Sequence, residues 1–337
     1  MMKIGLVGAG FMGGMHMACY EALSHMDVKI TAVADVREEK AKAVAEKTGA
    51  TIYETGLDLI KNADVDIIDI CLPTHLHTQH AVAAMKKGRA VFLEKPVCGS
   101  KEDAELLLKM QQETNAKVMV GQCIRSWSEY KWLKEAIDNN TYGKVLSGVF
   151  TRLSCKPNWS WNNWLNTIEQ GGTVALDMHV HDVDYIRYIM GEPDEVKAVA
   201  ARDSEGVIQQ IFATYQYGSA AVVAEACWDY PDKFPFTMAY RVKMEKATAV
   251  FDSNSIPSLM IYPVDGESFA APLEKEFEAE NDIGGNLSSL GGYYNELEYF
   301  IRKLKNNEAL EIAPLSEGVK SAMLSLKEIE LSGGAKK

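Results

Sequence analysis

The chain has 337 residues, of which 47% are hydrophobic and 24% charged, a composition typical of a globular protein with room for two domains. The net charge of -12 and the pI near 5.2 disfavour nucleic acid and anionic membranes as partners. No apolar run approaches the roughly 20 residues of a spanning helix. The N-terminus lacks a signal-peptide pattern and the cysteines form no C-x-x-C pair, so we expect a cytoplasmic protein.

The first part of the chain alternates between strand and helix patterns. Short apolar, β-branched runs predict strands at Lys3–Val7, Val28–Ala34, Asp66–Ile70, Ala90–Leu93 and Lys117–Val120. Amphipathic segments predict a helix from Ser100 onward and others at Phe11–Ser24, Arg37–Thr48 and Leu76–Lys87. This alternation predicts an α/β domain with a parallel sheet, which we assign to residues 1–121.

The rhythm changes after residue 121. Helices are predicted at Trp127–Asn139, Thr173–Met190, Tyr293–Lys305 and Ser316–Leu331. Strands are predicted at Val145–Leu153 and over the runs 195–202, 207–216, 219–229 and 236–252. Residues 122–337 are therefore expected to form a second, α+β domain with a mainly antiparallel sheet.

A glycine-rich turn lies between the first strand and the first helix. Gly8, Gly10 and Gly13 have the G-x-G-x-x-G spacing, which lets the backbone approach a pyrophosphate at a helix N-terminus. Asp35 ends the second strand, where a carboxylate binds the adenosine ribose hydroxyls of a dinucleotide. Asp35 would repel a 2′-phosphate and so favours NAD, while the nearby Arg37 leaves NADP open. A purely structural glycine turn is the alternative.

Five of the seven histidines form two clusters: His75, His77 and His80, then His179 and His181. A metal site is one interpretation, but neither cluster has a third carboxylate or cysteine ligand beside it, so no metal is expected. The first cluster follows a strand at the carboxyl edge of the sheet, where the nicotinamide ribose of a cofactor would pass.

The segment Thr173–Met190 combines acids with an imidazole on an otherwise apolar helix. Asp177, His181 and Asp184 share one helical face at i, i+4 and i+7. Histidine is suited to accept a proton near neutral pH, so this face is a candidate catalytic surface. The alternative is a capping Asp177 followed by a solvated polar stripe.

Lys95 stands where a buried strand ends, between Glu94 and Pro96. The carboxyl end of a parallel strand opens into the ligand crevice of such a sheet, and Pro96 restricts the backbone of Lys95. Whether the bond between them is cis is left open. The alternative is a surface lysine paired with Glu94.

Taken together these residues resemble the Gfo/Idh/MocA family, the glucose–fructose oxidoreductase and inositol dehydrogenase group. The resemblance covers almost the whole chain and rests on "GAGFMG", "ICLPTHLH", "EKP", "VGQCIRSWSEY" and "GGTVALDMHVHDVD". It implies a Rossmann domain followed by a domain whose large open sheet often forms an oligomer interface, here a homodimer or homotetramer. It also implies that Lys95, Asp177 and His181 form the catalytic constellation, and that the substrate is a sugar or cyclic polyol.

The resemblance and the motifs together define two sets of predicted contacts. The cofactor contacts are Gly8, Gly10, Phe11, Met12, Gly13, Asp35, Arg37, Cys71, Leu72, Pro73, Thr74, His75, His77, Glu94, Lys95 and Gln122. The substrate contacts are Lys95, Arg125, Trp164, Asp177 and His181. Ser126 and Ser128 depart from the family pattern, in which an aromatic residue and a proline are common, so the shape of the pocket is open.

The loop Lys156–Asn166 holds three tryptophans and four asparagines. Flat aromatic rings beside amides suit a carbohydrate, whose C–H faces stack and whose hydroxyls need paired donors and acceptors. The alternative is an interface or lid loop.

The expected reaction is the reversible NAD(P)-dependent oxidation of a secondary alcohol. His181 would take the hydroxyl proton, Lys95 would stabilise the charge on the oxygen, and Asp177 would hold the substrate or orient His181. Two other functions remain open. One is an NAD-dependent glycosidase that acts through transient oxidation. The other is a non-enzymatic sensor of NAD or sugar, which would not need these three residues.

Overall fold

The computed structural model of the chain describes residues 1–275 and 290–335. The chain divides into two compact units, Met1–Ser126 with Glu276–Lys320, and Trp127–Lys275 with Ser321–Lys337. A C-terminal segment thus belongs to the first unit, whereas the sequence analysis placed everything after residue 121 in the second domain. The assignment of two functional domains stays a prediction.

The first unit contains a six-stranded sheet with the order β3-β2-β1-β4-β5-β6. Its strands are Met2–Val7 (β1), Val28–Ala34 (β2), Thr51–Tyr53 (β3), Ile67–Ile70 (β4), Ala90–Glu94 (β5) and Val118–Gly121 (β6). The helices between them are Phe11–Ala22 (α1), Glu38–Thr48 (α2), Gly56–Asn62 (α3), His77–Lys86 (α4) and Lys101–Thr114 (α5). All neighbouring strands pair in parallel, as the alternation of strands and helices predicts. The predicted Rossmann-type α/β fold is confirmed.

The local sequence explains where these elements start and stop. All four residues of β4 are buried, which fits a central parallel strand covered on both faces. The hydroxyl of Ser100 accepts the N–H of Asp103 at 3.1 Å and caps α5 at its N-terminus. The helix α2 ends where Gly49 adopts the left-handed conformation, with φ of 74°.

The second unit contains an eight-stranded sheet with the order β14-β13-β12-β11-β7-β10-β9-β8. Its strands are Val145–Cys155 (β7), Glu195–Arg202 (β8), Ile208–Tyr217 (β9), Ala220–Tyr230 (β10), Thr237–Met244 (β11), Ala247–Asp252 (β12), Leu259–Pro263 (β13) and Phe269–Ala270 (β14). The helices are Ser128–Asp138 (α6), Ile168–Gly171 (α7), Thr173–Asp177 (α8) and Val180–Met190 (α9). In this sheet β7 pairs with β10 in parallel and the other pairs are antiparallel, so the predicted mainly antiparallel sheet is confirmed.

Two helices follow the second sheet, Gly291–Lys305 (α10) in the first unit and Leu315–Leu331 (α11). Among the residues that the structure describes, no helix combines the length and the apolar character needed to cross a membrane.

One predicted helix is wrong in its continuity. The sequence predicts a single helix over Thr173–Met190, but the structure has α8 and α9 with a turn between them. The N–H of His179 bonds to the carbonyl of Val174, five residues back, at 2.9 Å, so the turn is one residue wider than an α-helical turn. The regular i, i+4, i+7 face expected for Asp177, His181 and Asp184 is therefore interrupted.

Smaller elements are also missing from the sequence-based description. Neither β3 with α3 nor β13 with β14 is predicted, since these segments are short and lack a regular apolar period. The run 236–252 is a hairpin of β11 and β12 and not one strand.

Candidate functional site

Five predicted site residues lie at one edge of the parallel sheet. Gly8, Asp35, Cys71, Lys95 and Gln122 each directly follow the last residue of β1, β2, β4, β5 or β6. Parallel strands place their carboxyl ends at the same edge, and the strand order reverses between β1 and β4. This edge is where open α/β sheets bind dinucleotides.

The glycine turn leaves room for no side chain at two of its positions. Gly8 has φ of +93°, and a Cβ there would lie 2.4 Å from the carbonyl oxygen of Cys71. A Cβ on Gly13 would lie 2.0 Å from the carbonyl oxygen of Gly8. The helix α1 begins directly after Gly10 with no side-chain cap, so its first N–H groups face the turn. The turn fits a pyrophosphate.

The carboxylate of Asp35 is held beside this turn. It accepts the backbone N–H of Ala9 at 2.8 Å and that of Arg37 at 2.8 Å. The Arg37 guanidinium lies over the same carboxylate, with nitrogen–oxygen distances of 3.1 and 3.2 Å. The two predicted cofactor contacts thus form one ion pair, and Asp35 is fixed where a ribose hydroxyl would be recognised.

The fully buried side chain of His77 holds the segment after β4 through contacts with two backbone carbonyls. Its Nδ1 lies 2.7 Å from the carbonyl oxygen of Pro96 and its Nε2 2.7 Å from that of Leu72. Burial lowers the pKa of His77, although the two carbonyls act in the opposite direction. His77 therefore connects the loop after β4 with the segment that carries Lys95.

The other predicted residues of this loop differ in exposure. Thr74 is buried, His75 is exposed, and Cys71, Leu72 and Pro73 are half-buried. Within the described ranges 1–275 and 290–335, neither histidine cluster brings three potential metal-ligand atoms together.

Lys95 is half-buried at the end of β5, and its peptide bond to Pro96 is cis. Its backbone N–H donates to Oε2 of Glu94 at 3.1 Å. Glu94 is 4% exposed, so it acts on the Lys95 backbone from inside the fold.

Gln122 and Arg125 are both buried in the first unit, although the sequence predicts that they line the site. Both polar atoms of the Gln122 amide are buried without a hydrogen-bond partner among the described residues, which suits an amide aimed at a bound group. The Arg125 guanidinium donates to the carbonyl of Ile312.

In the second unit, Asp177 and His181 are half-buried on either side of the turn between α8 and α9. The residue between them, His179, is fully buried, and its Nε2 lies 2.8 Å from Oε2 of Glu328 on α11. Asp184 is also buried and accepts the hydroxyl of Ser321 at 2.7 Å. The chain thus leaves Asp177 and His181 accessible, while their polar neighbours hold the turn.

Trp164 lies in a 3₁₀ segment, Trp161–Asn166, in which Asn162 and Asn163 adopt left-handed conformations. Part of Trp164 packs against the core of the second unit, whereas Trp159 is 60% exposed. The exposed aromatic surface of this loop therefore comes mainly from the other two tryptophans.

Sequence reasoning missed a group of buried charges around His16. A histidine three residues after Gly13 and an acid inside the buried strand "IIDI" were the available signals. His16 and Asp69 are both 0% exposed, and Nδ1 of His16 lies 2.9 Å from Oδ2 of Asp69.

The fold and the edge residues define a Rossmann-type dinucleotide-binding protein. The family model described as "Oxidoreductase family, NAD-binding Rossmann fold" matches residues 2–122, and the GFO/IDH/MocA C-terminal domain matches residues 130–250. The chain therefore belongs to the Gfo/Idh/MocA oxidoreductase family, and the predicted resemblance is confirmed.

Several named proteins are similar to this chain. Myo-inositol 2-dehydrogenase of Thermotoga maritima is 31% identical over 66% of this chain and 64% of its own length. Inositol 2-dehydrogenase of Rhizobium meliloti is 32% identical over 59% of this chain and 58% of its own. The aligned part thus spans less than two thirds of these relatives. A solved levoglucosan dehydrogenase, in complex with NADH and levoglucosan, has a TM-score of 0.83 and 20% identity over 98% of this chain and 97% of that one, which shows a shared fold.

Proposed function

We propose that the protein is an NAD-dependent dehydrogenase that oxidises a secondary alcohol of a sugar or cyclic polyol. The observation that carries the proposal is the common edge of the parallel sheet, where the glycine turn, Asp35 and Lys95 each follow a strand end. A cofactor turn at this edge would bring the nicotinamide there, and a cationic side chain beside it could stabilise the charge that develops on the alcohol oxygen.

Three residues carry the proposed chemistry. His181 takes the proton of the substrate hydroxyl, since an imidazole is basic enough near neutral pH. The Lys95 ammonium hydrogen-bonds the same oxygen and stabilises its developing negative charge. Asp177 holds a neighbouring hydroxyl or orients His181. NAD+, when bound, supplies the hydride acceptor.

The predicted cofactor contacts divide by role. The turn Gly8–Gly13 would hold the pyrophosphate, and Asp35 the adenosine ribose. Because the Asp35 carboxylate would face a 2′-phosphate with a like charge, we propose a preference for NAD over NADP. The orphaned amide of Gln122 would serve the nicotinamide end.

Inositol and an anhydro-sugar such as levoglucosan are the first substrates to consider, because relatives and a fold neighbour carry these names. An amino sugar and a glucoside oxidised at carbon three belong in the same panel. Arg125 and the loop that carries Trp164 are the proposed substrate contacts, since amides and aromatic rings suit sugars.

The test is a panel of polyols and sugars assayed with NAD and with NADP by reduced-nicotinamide absorbance. At least one compound of the panel should be oxidised, with one molecule of reduced cofactor formed for each molecule of product. Lys95→Ala should lower kcat at least about a hundredfold, which is the range for loss of a proton-handling or charge-stabilising group, and leave NAD affinity intact. The matched control is Lys109→Ala, an exposed lysine on α5 of the same unit.

Three results would contradict the proposal. Full turnover in Lys95→Ala would remove the catalytic assignment. Bond cleavage in a glycoside without net formation of reduced cofactor would favour the glycosidase, and NAD binding without turnover of any substrate would favour a sensor.

We further propose a homo-oligomer, a dimer or tetramer, in the cytoplasm. Light scattering on the purified protein and fractionation of cells test these two points. A monomer at assay concentration, or recovery outside the cytoplasm, would contradict them.

A further inference from the structure

Four ionisable side chains are buried together in the first unit, next to the ends of β4 and β5. His16 and Asp69 are 0% exposed, Glu296 is 1% exposed and Glu94 is 4% exposed. Removing such groups from water is costly unless they are paired, and breaking one pair leaves an uncompensated charge. The contacts within this group therefore decide how each member is held.

The ring of His16 lies between two carboxylates. Its Nδ1 is 2.9 and 3.1 Å from the two oxygens of Asp69, and its Nε2 is 3.1 Å from Oε1 of Glu94. The Nε2–Oε1 contact is at ion-pair distance only, since both atoms are buried without a hydrogen-bond partner among the described residues. A neutral ring that donates from Nδ1 would place the Nε2 lone pair near this carboxylate, whereas a ring protonated at both nitrogens is attracted to it. Burial alone lowers the pKa of His16, but the Asp69 carboxylate and the Cys71 thiol raise it well above 6.5.

Glu94 links this ring to the backbone of Lys95. Its Oε2 accepts the Lys95 N–H at 3.1 Å, while its Oε1 faces His16. On the neighbouring strand β6, a Cβ on Gly121 would lie 3.0 Å from the same Oε1, so this glycine leaves the space that the carboxylate occupies. Oε2 of Glu94 thus holds the peptide group that begins Lys95, whereas Oε1 lies at ion-pair distance from His16 without a hydrogen-bond partner among the described residues.

Two further groups face His16: the Cys71 thiol, whose sulfur lies 3.2 Å from Nδ1, and Glu296 on α10. Both oxygens of Glu296 are buried without a hydrogen-bond partner among the described residues. Burial and the charge of Glu94 raise its pKa well above 4.5, so the fold favours its neutral form. His16 therefore has Asp69 and Glu94 as its charged partners. On its own helix the neighbours are Cys19 and Tyr20, whose hydroxyl donates to Asp69 at 2.9 Å.

We propose that His16 is a positioning residue for Lys95, because its ring holds the Glu94 carboxylate that fixes the Lys95 backbone at the end of β5. Asp69 in turn fixes the orientation of the ring. The inference rests on the proposed function, in which the Lys95 ammonium acts on the substrate oxygen. A displacement of about 1 Å at a reacting group can cost on the order of a hundredfold in rate.

His16→Gln tests this by removing the charge while keeping a side chain of similar reach. The expected result is a fall in kcat of at least about tenfold with the KM for NAD changed by less than about twofold, the pattern of a lost transition-state interaction. The matched control is His25→Gln. His25 is a histidine of the same unit, outside both histidine clusters, whose ring bonds to the carbonyl of Ala22 at 3.0 Å, and its loss should leave kcat unchanged.

A second readout separates positioning from general destabilisation and does not need activity. In protein labelled with ¹⁵N-lysine, the Lys95 backbone amide should shift in folded His16→Gln and in Glu94→Gln, but not in His25→Gln. In the unaltered protein with ¹⁵N-histidine, both ring nitrogens of His16 should have imidazolium shifts at pH 8.

Three outcomes overturn the inference: an unmoved Lys95 amide in His16→Gln, a neutral His16 ring at pH 8, or one tightly bound zinc ion per chain on Nε2. Full activity of Lys95→Ala would instead reject the proposed function. The two spectroscopic readouts would still decide whether His16 positions the Lys95 backbone.

Discussion

Individual residues in the first unit show how neighbours change the chemistry of a side chain. His16 and Glu296 are both expected to hold a proton more tightly in the folded chain than in the unfolded one. For His16, burial lowers the pKa, but the Asp69 carboxylate and Cys71 together outweigh burial. For Glu296 the cause is burial itself, with Glu94 nearby. Both effects act on stability in the same direction.

We expect the free energy of unfolding to fall as the pH rises above neutral. A raised pKa contributes stability that is fully present below the unfolded value, 6.5 for His16 and 4.5 for Glu296, and that is lost as the pH rises through the folded value. Glu296→Gln mimics the neutral acid, so its stability should depend less steeply on pH. Urea denaturation between about pH 6 and 9 measures the slope, at most about 1.4 kcal/mol per pH unit for each proton.

The matched control for this prediction is Glu298→Gln. Glu298 lies on the same helix α10, in an exposed pair with Arg302 at 3.2 Å. An equal slope in Glu296→Gln and in the unaltered protein would contradict the prediction.

At the scale of elements, the turn between α8 and α9 is the feature with the clearest consequence. Its central residue His179 pairs with Glu328 of α11 at 2.8 Å, and both side chains are 0% exposed. The wider turn and this pair occur at the same residue, and losing the partner of a buried imidazole is costly, so we expect the pair to stabilise the turn. Asp177 and His181 take their positions from the turn.

Glu328→Gln should therefore destabilise the protein by about 1–3 kcal/mol, the cost of weakening a buried charge-assisted contact. It should also lower kcat, because Asp177 and His181 flank the residue that loses its partner. Urea denaturation and steady-state kinetics measure the two effects. The control is Glu330→Gln, at an exposed residue of the same helix, which should change neither the stability nor kcat. Unchanged stability in Glu328→Gln would show that the pair does not hold the turn.

The elements that the sequence predicts well are those whose pattern is local. The bounds of β2 are the predicted ones, because a β-branched run between polar residues marks a buried strand. The hairpin between β11 and β12 is missed because its turn at Glu245 and Lys246 has no glycine or proline. Backbone N–H groups of Lys144 and Lys246 hold that turn instead, bonding to Glu245 and to the carbonyl of Tyr142.

For the whole molecule, we expect cofactor binding and folding to be coupled through the first unit. A ligand at 100 times its Kd should stabilise the folded form by about 2.7 kcal/mol. We expect NAD to slow hydrogen exchange in the strands of the first unit and NADP to do so less at equal concentration.

Gly13→Ala should abolish the protection by NAD, because its Cβ would lie 2.0 Å from the Gly8 carbonyl oxygen. Gly99→Ala is the control, since a Cβ there meets nothing within 4 Å. Equal protection in Gly13→Ala would contradict a cofactor at the glycine turn.

The sequence by itself determined the parallel sheet, the glycine turn, the acid after β2 and the family, because glycine spacing and apolar period are local properties of the chain. Only the tertiary structure decided that His16 lies between Asp69 and Glu94, that Glu296 faces them, and that His179 interrupts a helix by pairing with Glu328. His16 and Asp69 are 53 positions apart along the chain, and His179 and Glu328 are 149 positions apart. Charge and hydrogen bonding depend on distance in space, and no local pattern carries that information.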